Sequence, residues 1–302
     1  MTEFYEHVSL YHPDRLCDYL VSCLLDYCIK KDKFIDYRVE CMLQDDLLIF
    51  VGNINSNYEF SDQELEEELS KVLNDLNLNY VYQFNVFIKK EKLKERPLTG
   101  TGIYYGLATC EDFELPSNYI LSKDISNCLE ILLGNKYYKS SYIFMNNKLI
   151  IDVTFTDKDI KEDNFKHIFE DLQISYEINI HYKNYSKLLG MTGRKLSIDY
   201  YNGLIPNNGG SPWGKDPFNA DLTLNKYANQ LAIDFRKKNN FEYVMSKLIY
   251  LGDNKAILEF YDELNKPISK SEKIEIKPDL YKKLGLNKQI YAKMCKKGFI
   301  FQ

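Results

Sequence analysis

Apolar residues recur at helical spacing in five stretches of the chain, and short apolar or alternating stretches lie between them. Leu16, Leu20 and Leu24 share one face of a predicted helix that begins at Pro13 or Asp14. The same spacing predicts further helices over 61–76, 123–133, 159–171 and 222–238, and Ser61 with Glu64 forms a capping box at the first of these. Alternation and short apolar runs predict strands near 35–43, 47–52, 80–88, 141–145, 148–156, 174–182, 242–251 and 254–261.

The predicted elements repeat in order along the chain. The order helix, strand, strand, helix, strand begins near residues 13, 123 and 222, although no sequence identity relates the three stretches. The residues that follow Gly100-Thr101-Gly102 are expected to be irregular, and the weaker pattern of the tail predicts a short helix over 279–284 and a strand over 288–293. The repeat predicts an α+β fold of three similar α/β units, which we place at 1–98, 99–188 and 189–302.

Composition narrows the classes of function. A hydrophobic share of 45% over 302 residues suffices for a core, and a net charge of -5 gives no general attraction to nucleic acid or to an anionic membrane. No apolar run approaches the roughly 20 residues of a membrane span, and the acidic start MTEFYE is unlike a signal peptide. Seven cysteines without a Cys-x-x-Cys pair indicate a reducing compartment. We therefore expect a cytoplasmic protein that binds neither nucleic acid nor membrane.

Two glycine-rich passages carry candidate chemistry. Residues 190–195 read Gly-Met-Thr-Gly-Arg-Lys, and residues 209–216 read Gly-Gly-Ser-Pro-Trp-Gly-Lys-Asp. Glycine lets the backbone come close to a ligand, and the cations Arg194, Lys195 and Lys215 suit a dense anion such as a polyphosphate. Turns beside a charged surface have a similar composition, so the passages on their own are a moderate indication of such a site.

The tripeptide His12-Pro13-Asp14 admits three interpretations. A helix start with an incidental histidine is the commonest meaning of so short a motif. The co-chaperone J-domain also uses it, but a basic helix precedes the motif there, whereas the eleven residues that precede it here include Glu3 and Glu6. The third interpretation is catalytic: His12 donates to a phosphate-like leaving group, and Asp14 binds magnesium.

The surrounding residues favour the catalytic interpretation. Residues 12–26 resemble the pattern G-H-P-D-K-x-x-D-Q-x-S-D-A-x-L-D of the S-adenosylmethionine synthetases (methionine adenosyltransferases), and residues 190–195 resemble that family's G-L-T-G-R-K. Further resemblances lie in family order: 138–140 to A-K-S-Q, 198–203 to V-D-T-Y-G-G, 209–221 to G-G-G-A-F-S-G-K-D-x-x-K-V-D, and 290–291 and 298–299 to P-I-Y and Y-G-H-F. The family fold, three similar α/β units around a pseudo-threefold axis, is therefore expected here.

The resemblance implies an activity and a set of site residues. The family joins the sulfur of L-methionine to C5′ of ATP and hydrolyses the released triphosphate to phosphate and pyrophosphate. It uses two Mg²⁺ ions and a K⁺ ion, and its active sites are shared between the two subunits of a homodimer. The positions that match the triphosphate residues are His12, Arg15, Lys139, Arg194, Lys195 and Lys215, and those that match the magnesium ligands are Asp14 and Asp221.

The departures from the family pattern concentrate on the acids that receive methionine. Asn53 stands at the glutamate of the family's G-G-E-I, and residues 100–109 are three residues shorter than its G-A-G-D-Q-G-L-M-F-G-Y-A-T and lack its aspartate. Leu188-Leu189 stand at the acid before G-L-T-G-R-K, and Asn219 stands at the second lysine of K-D-x-x-K. The ammonium group of methionine thus lacks its usual partners in this sequence.

Three hypotheses follow from these departures. In the first, the ordinary reaction occurs and other acids hold the ammonium of methionine, such as Asp45, Asp46, Glu111 or Asp112. In the second, the same fold uses another small nucleophile or mainly hydrolyses triphosphate. In the third, the chain is a non-catalytic ATP-binding subunit that pairs with an intact synthetase.

Overall fold

The computed structural model describes residues 2–78, 82–93, 97–109, 117–157, 160–169, 174–183 and 189–299. The helices are α1 (Pro13–Lys31), α2 (Asp62–Asp75), α3 (Ser117–Leu133), α4 (Lys166–Phe169), α5 (Leu196–Tyr200), α6 (Ala220–Asn239), α7 (Leu280–Lys283) and α8 (Tyr291–Lys297). The strands are β1 (Glu3–Val8), β2 (Asp36–Gln44), β3 (Leu47–Ser56), β4 (Gln83–Lys92), β5 (Gly102–Thr109), β6 (Tyr138–Met145), β7 (Lys148–Phe155), β8 (Ser175–Tyr182), β9 (Leu189–Met191), β10 (Tyr243–Gly252), β11 (Lys255–Tyr261) and β12 (Glu272–Glu275).

Three four-stranded sheets form the framework, and each combines three strands of one stretch of chain with an edge strand from another. The strand orders are β9-β2-β3-β4, β1-β6-β7-β8 and β5-β10-β11-β12. In each of these orders, the first strand pairs antiparallel with the second and the second with the third. The third and fourth strands are parallel in the first two sheets (β3 with β4, β7 with β8) and antiparallel in the third (β11 with β12). The predicted α+β class is confirmed, whereas the pseudo-threefold axis and the unit boundaries stay predictions.

One face of each sheet packs against helices. α1 and α2 lie on the first sheet, α3 lies on the second, and α6 lies on the third. Alternation along β2 shows the two faces: Tyr37, Val39 and Cys41 are buried, whereas Arg38 and Glu40 between them are exposed. The cluster of buried residues around α1 also takes in α8, so this helix belongs to the core beneath the first sheet.

The predicted strand over 288–293 is wrong, because these residues lead into helix α8. Tyr291, Met294 and Cys295 are buried at positions i, i+3 and i+4, which is helical spacing. The carboxylate of Asp26 on α1 accepts hydrogen bonds from the backbone N–H groups of Tyr291 and Ala292 at 3.0 and 2.8 Å. A long-range acceptor therefore fixes the start of the helix.

The stretch expected to be irregular after Gly102 is strand β5, which pairs with β10 in the third sheet. Gly106 lets this strand lie against α6, because a Cβ there would be 2.2 Å from the carbonyl carbon of Ala228. The predicted helix over 159–171 is shorter in its described part, which consists of a 3-10 turn at Glu162–Phe165 and then α4.

The helix start predicted at Ser61 is confirmed, since the Ser61 hydroxyl accepts a hydrogen bond from the N–H of Glu64 at 3.1 Å. None of the helices in the described ranges is long and apolar enough to cross a membrane. The six cysteines that the structure describes are free thiols, and Cys110 lies outside the described residues.

Candidate functional site

One edge of β2 holds both glycine-rich passages. β9 pairs with the end of the strand, so that Met191 lies opposite Met42. Further along the same edge, the N–H of Val39 donates to the carbonyl of Gly214 at 3.0 Å, and Lys215 forms a bridge with Arg38. The two passages are distant in sequence, but both lie along one strand. Their partners on β2, Met42 and Arg38, are four residues apart, which is about 13 Å along a strand.

Two of the glycines are required by close backbone packing. A Cβ at Gly190 would lie 2.4 Å from the carbonyl carbon of Pro13, so this passage lies directly on the start of α1. Gly214 has a φ of 70°, and a Cβ there would lie 2.2 Å from the carbonyl oxygen of Val39. In both places glycine serves close contact with the protein's own backbone.

The first group of predicted site residues assembles at the start of α1. The carboxylate of Asp14 lies 2.9 Å from Nζ of Lys195 and 3.9 Å from Nε of Arg194. It also accepts a hydrogen bond from the N–H of Met191 at 3.0 Å. Asp14 is buried, whereas the side chain of Arg194 is 50% exposed and can reach a ligand in solvent. The structure therefore brings together three predicted site residues, although Arg194 and Lys195 follow Asp14 by 180 residues or more in the sequence.

His12 is the N-cap of α1, and its Nδ1 accepts a hydrogen bond from the N–H of Asp14 at 3.2 Å. The proton of the neutral ring is then on Nε2. Burial, followed by the charges of Lys195, Lys139, Arg15 and Lys183, lowers the pKa of His12 to about 2. The imidazole is therefore neutral, and it can donate a hydrogen bond to an anion without giving up a proton.

Two further cations belong to the surroundings of His12. Lys139 on β6 lowers the pKa of His12, and its own Nζ lies 2.5 Å from a carboxylate oxygen of Glu6 on β1. Lys183, just after β8, also lowers this pKa and was missed by the sequence analysis. No motif marked Lys183, and the sequence does not show that the end of β8 lies near the start of α1.

Lys215 and Asp221 form a second group at the start of α6. Nζ of Lys215 lies 2.6 Å from one carboxylate oxygen of Asp221, and Asn208 donates to the other at 3.0 Å. Asn219 caps the helix by accepting from the N–H of Asp221 at 2.9 Å. In the described part of the chain, no hydrogen bond or ion pair joins this group to His12, Asp14 or Lys195.

Arg15 is placed differently from the other predicted cations. Its guanidinium is buried, pairs with the carboxylate of Asp199 and lies 3.7 Å from Asp18. Burial, followed by the charge of Asp199, raises the pKa of Asp18, whose other oxygen accepts from the N–H of Gly193 at 2.7 Å. These contacts fix the turn before Arg194 to α1. Direct binding of the triphosphate by Arg15 stays a prediction.

Comparisons with known proteins agree with the resemblance. No protein-family model matches the chain. The S-adenosylmethionine synthase of Acholeplasma laidlawii is 23% identical over 279 residues, covering 75% of this chain and 72% of that protein. That of Borreliella afzelii is 23% identical over 359 aligned positions, covering 97% and 91%. The solved structure of an unusual S-adenosylmethionine synthetase from Campylobacter jejuni superposes with a TM-score of 0.79 at 17% identity, covering 100% of this chain and 95% of that one.

The chain is similar to the S-adenosylmethionine synthetases, in sequence over most of its length and in fold.

The two predicted magnesium ligands of this synthetase relative lie in different groups. Among the described residues, no cluster of three or more His, Cys, Asp or Glu side chains could hold a metal ion. Asp14 and Asp221 each place one carboxylate beside a cation. Magnesium is often bound by one or two carboxylates together with substrate phosphates. Each group therefore fits a magnesium ion that arrives with a polyphosphate, and neither is a preformed metal centre.

Asn53, which stands where the synthetase pattern has a glutamate, lies on the exposed face of the first sheet. Asn53 is opposite Arg38, so its cross-strand neighbour is a cation. Asp45 and Asp46, two of the proposed substitutes, form the turn between β2 and β3 at the far end of the strands. Glu111, Asp112 and Leu188 lie outside the described residues. The direct cross-strand neighbours of Asn53 in the described sheet are therefore both cations, Arg38 on β2 and Lys89 on β4.

Proposed function

We propose that the chain is an adenosyltransferase that converts ATP, L-methionine and water to S-adenosylmethionine, phosphate and pyrophosphate. The observation that carries this proposal is the convergence of His12, Asp14, Arg194 and Lys195 at the start of α1. A neutral donor, two cations and one carboxylate at a buried helix start suit a polyphosphate that carries magnesium. The site of action that we propose is the cytoplasm, with two Mg²⁺ ions and K⁺ as cofactors.

The chemical step transfers the adenosyl group from oxygen to sulfur. A lone pair of the methionine sulfur forms a bond with C5′ while the C5′–O bond breaks, and its electron pair leaves with the triphosphate. The leaving group is highly anionic, so fixed cations lower the barrier by stabilising charge as it develops. Lys195, Arg194 and Lys139 would supply this charge, and Nε2 of His12 would donate a hydrogen bond. Magnesium, held by Asp14 and Asp221, would neutralise phosphate oxygens when it is bound.

We also propose a homodimer with shared active sites, and the separation of the two groups supports it. Lys215 forms a bridge with Arg38 of β2, whereas Asp14 accepts from Met191, which lies opposite Met42 further along the same strand. The face of the first sheet that is turned away from the helices exposes Val51, Phe87 and Leu189 by 54, 63 and 52%. Val51 and Phe87 are direct neighbours in the sheet. An apolar sheet face of this kind suits association with a second copy, which could bring Lys215 of one chain to His12 of the other.

A second candidate function is supported by the surroundings of Asn53. Because Arg38 is its neighbour where the family has an acid, a nucleophile without an ammonium group fits this face better than methionine does. The alternative is therefore transfer to another small nucleophile, or hydrolysis of triphosphate alone. Pairing with an intact synthetase is a further alternative, in which the partner would supply the acids that hold the ammonium of methionine.

Product analysis distinguishes these functions. The purified chain is incubated with ATP, MgCl₂ and KCl, with or without L-methionine, and the products are identified by mass spectrometry. S-adenosylmethionine only in the presence of methionine supports the first proposal. Phosphate and pyrophosphate without methionine dependence support the second. Nucleotide binding without turnover, followed by activity when an intact synthetase is added, supports a partner subunit and overturns independent catalysis.

A further inference from the structure

A cavity separate from the polyphosphate residues lies between the end of α1, the segment after β4, the start of α6 and helix α7. Its volume is about 580 Å³, within the range of sites for small organic molecules. None of the eight predicted site residues lines it. Its apolar wall includes Phe34, Leu98, Phe218, Ile276, Leu280 and Tyr281. The rings of Phe218 and Tyr281 lie 4.9 Å apart at 49°.

Two opposite charges border this cavity on one turn of the chain. Asp279 and Lys282 both line it and are three residues apart, so they lie on the same side of α7. They are not paired with each other: Nζ of Lys282 lies 5.6 Å from the ring centre of Phe34 and 5.8 Å from that of Tyr281. Asp279 precedes α7 but makes no side-chain cap hydrogen bond.

The other charged side chain in the wall is already satisfied. Nζ of Lys277 lies 3.2 Å from a carboxylate oxygen of Glu275. Asp279 is close enough to Tyr281 for its charge to raise the pKa of that phenol, after burial as the larger cause. In the described part of the chain, Asp279 and Lys282 thus have no ion-pair partner, and one apolar cavity lies beside both.

We propose that this cavity binds an α-amino acid with an apolar side chain. The carboxylate of the ligand pairs with Lys282, its ammonium pairs with Asp279, and its side chain enters the apolar space. A zwitterion with an apolar body satisfies both charges, whereas a simple acid or amine leaves one of them unpaired. The proposal does not depend on the reaction of ATP, because the two sets of residues are separate.

Three ligands that share a phenyl ring test whether binding requires both the ammonium and the carboxylate. Isothermal titration of the full chain without ATP compares L-phenylalanine with 3-phenylpropionate, which lacks the ammonium, and with phenethylamine, which lacks the carboxylate. We expect L-phenylalanine to bind about tenfold more tightly than either, since each of the other two lacks one charged hydrogen bond and leaves one protein charge unpaired. L-leucine is included in case an aliphatic side chain fits better. Failure of both amino acids to bind at millimolar concentration overturns the proposal.

Substitutions at two exposed residues test which protein charge pairs with which group of the ligand. Asp279→Asn should abolish the advantage of L-phenylalanine over 3-phenylpropionate, and Lys282→Met should abolish its advantage over phenethylamine. Lys283→Met is the matched control, because Lys283 is the next residue of α7 and does not line this cavity. Binding that neither Asp279→Asn nor Lys282→Met changes would belong to another site and would refute the assignment. Triphosphate release, measured in parallel, reports separately on the polyphosphate site.

Discussion

The carboxylate of Asp14 lies 2.9 Å from the ammonium of Lys195, so the acid proposed for magnesium also neutralises a cation proposed for triphosphate. Both side chains are largely buried, with 6 and 14% exposed. Each partner must exchange this contact for another when a polyphosphate with its metal binds. The ion pair thus keeps the anion-binding cation in place while the site is free of ligand.

The first prediction separates these two roles of Asp14. Asp14→Asn should bind inorganic tripolyphosphate about tenfold more tightly without Mg²⁺, because Lys195 loses its competing carboxylate. With Mg²⁺ the variant should bind less tightly than the natural chain, because a metal ligand is lost. Isothermal titration with and without MgCl₂ measures both effects, and Asp152→Asn, on β7 and outside the predicted site residues, serves as control. A change in the same direction under both conditions would show that Asp14 is not a metal ligand.

The second prediction concerns the buried cation at Arg15. Arg15→Met should lower the free energy of unfolding by about 3–5 kcal/mol, because Asp18 and Asp199 are left buried without their counter-ion. Adding Asp18→Asn should recover part of this loss, since the amide oxygen can still accept from Gly193. Urea denaturation measures both variants. Arg194→Met is the control, and an equal loss there would mean that burial of the pair is unimportant.

Arg15 also shows where local sequence stops being informative. Its position beside His12-Pro13-Asp14 predicted a ligand-binding cation, and the pattern does not show the acid 184 residues later that pairs with it. Helix starts such as Ser61 could be predicted, because their capping partners are three residues away. The start of α8 could not, since its acceptor, Asp26, lies on another helix more than 260 residues earlier.

The exchange of edge strands has the same physical explanation. Periodicity predicted most strands correctly, but β1, β5 and β9 each pair with a strand far away in the sequence. A three-residue strand such as β9 carries no period of its own, and it forms because β2 offers an open edge. The glycine-rich passages were found from their composition, whereas their common location on that edge follows only from the pairing.

The third prediction uses the half-buried imidazole of His7. Burial, then the charge of Lys123, lowers the pKa of His7 to about 4, below the value of about 6.5 expected in the unfolded chain. Between these values only the unfolded chain takes up the proton, so this group removes stability as the pH falls. At pH 5 the cost is about 2 kcal/mol. His7→Asn should therefore lose about that much less stability between pH 7.5 and 5.

The control for this measurement is His181→Asn, because that side chain is 57% exposed. Urea denaturation at each pH gives the difference between variant and natural chain, in which the other titrating groups cancel. Equal pH dependence of the natural chain and His7→Asn would show that His7 is protonated in the folded protein.

The fourth prediction tests the proposed dimer face of the first sheet. Val51→Asp places a charge beside Phe87 on the exposed face, and it should convert a dimer to a monomer. Light scattering after gel filtration measures the mass of each variant. Leu264→Asp is the control, because Leu264 is 66% exposed and lies in the turn after β11. A natural chain that is monomeric at working concentration would contradict the proposed homodimer.

The fifth prediction tests whether one active site combines two chains. His12→Ala and Lys215→Ala should each reduce triphosphate release by about a hundredfold or more, since each removes a donor to the leaving group. If His12 of one chain meets Lys215 of its partner, mixed dimers contain one intact site and one doubly damaged site. Mixing the variants should then restore about a quarter of the natural activity. A mixture that stays as inactive as its components would place both residues in the same chain's site, and Lys136→Ala, on the surface, controls for the loss of charge alone.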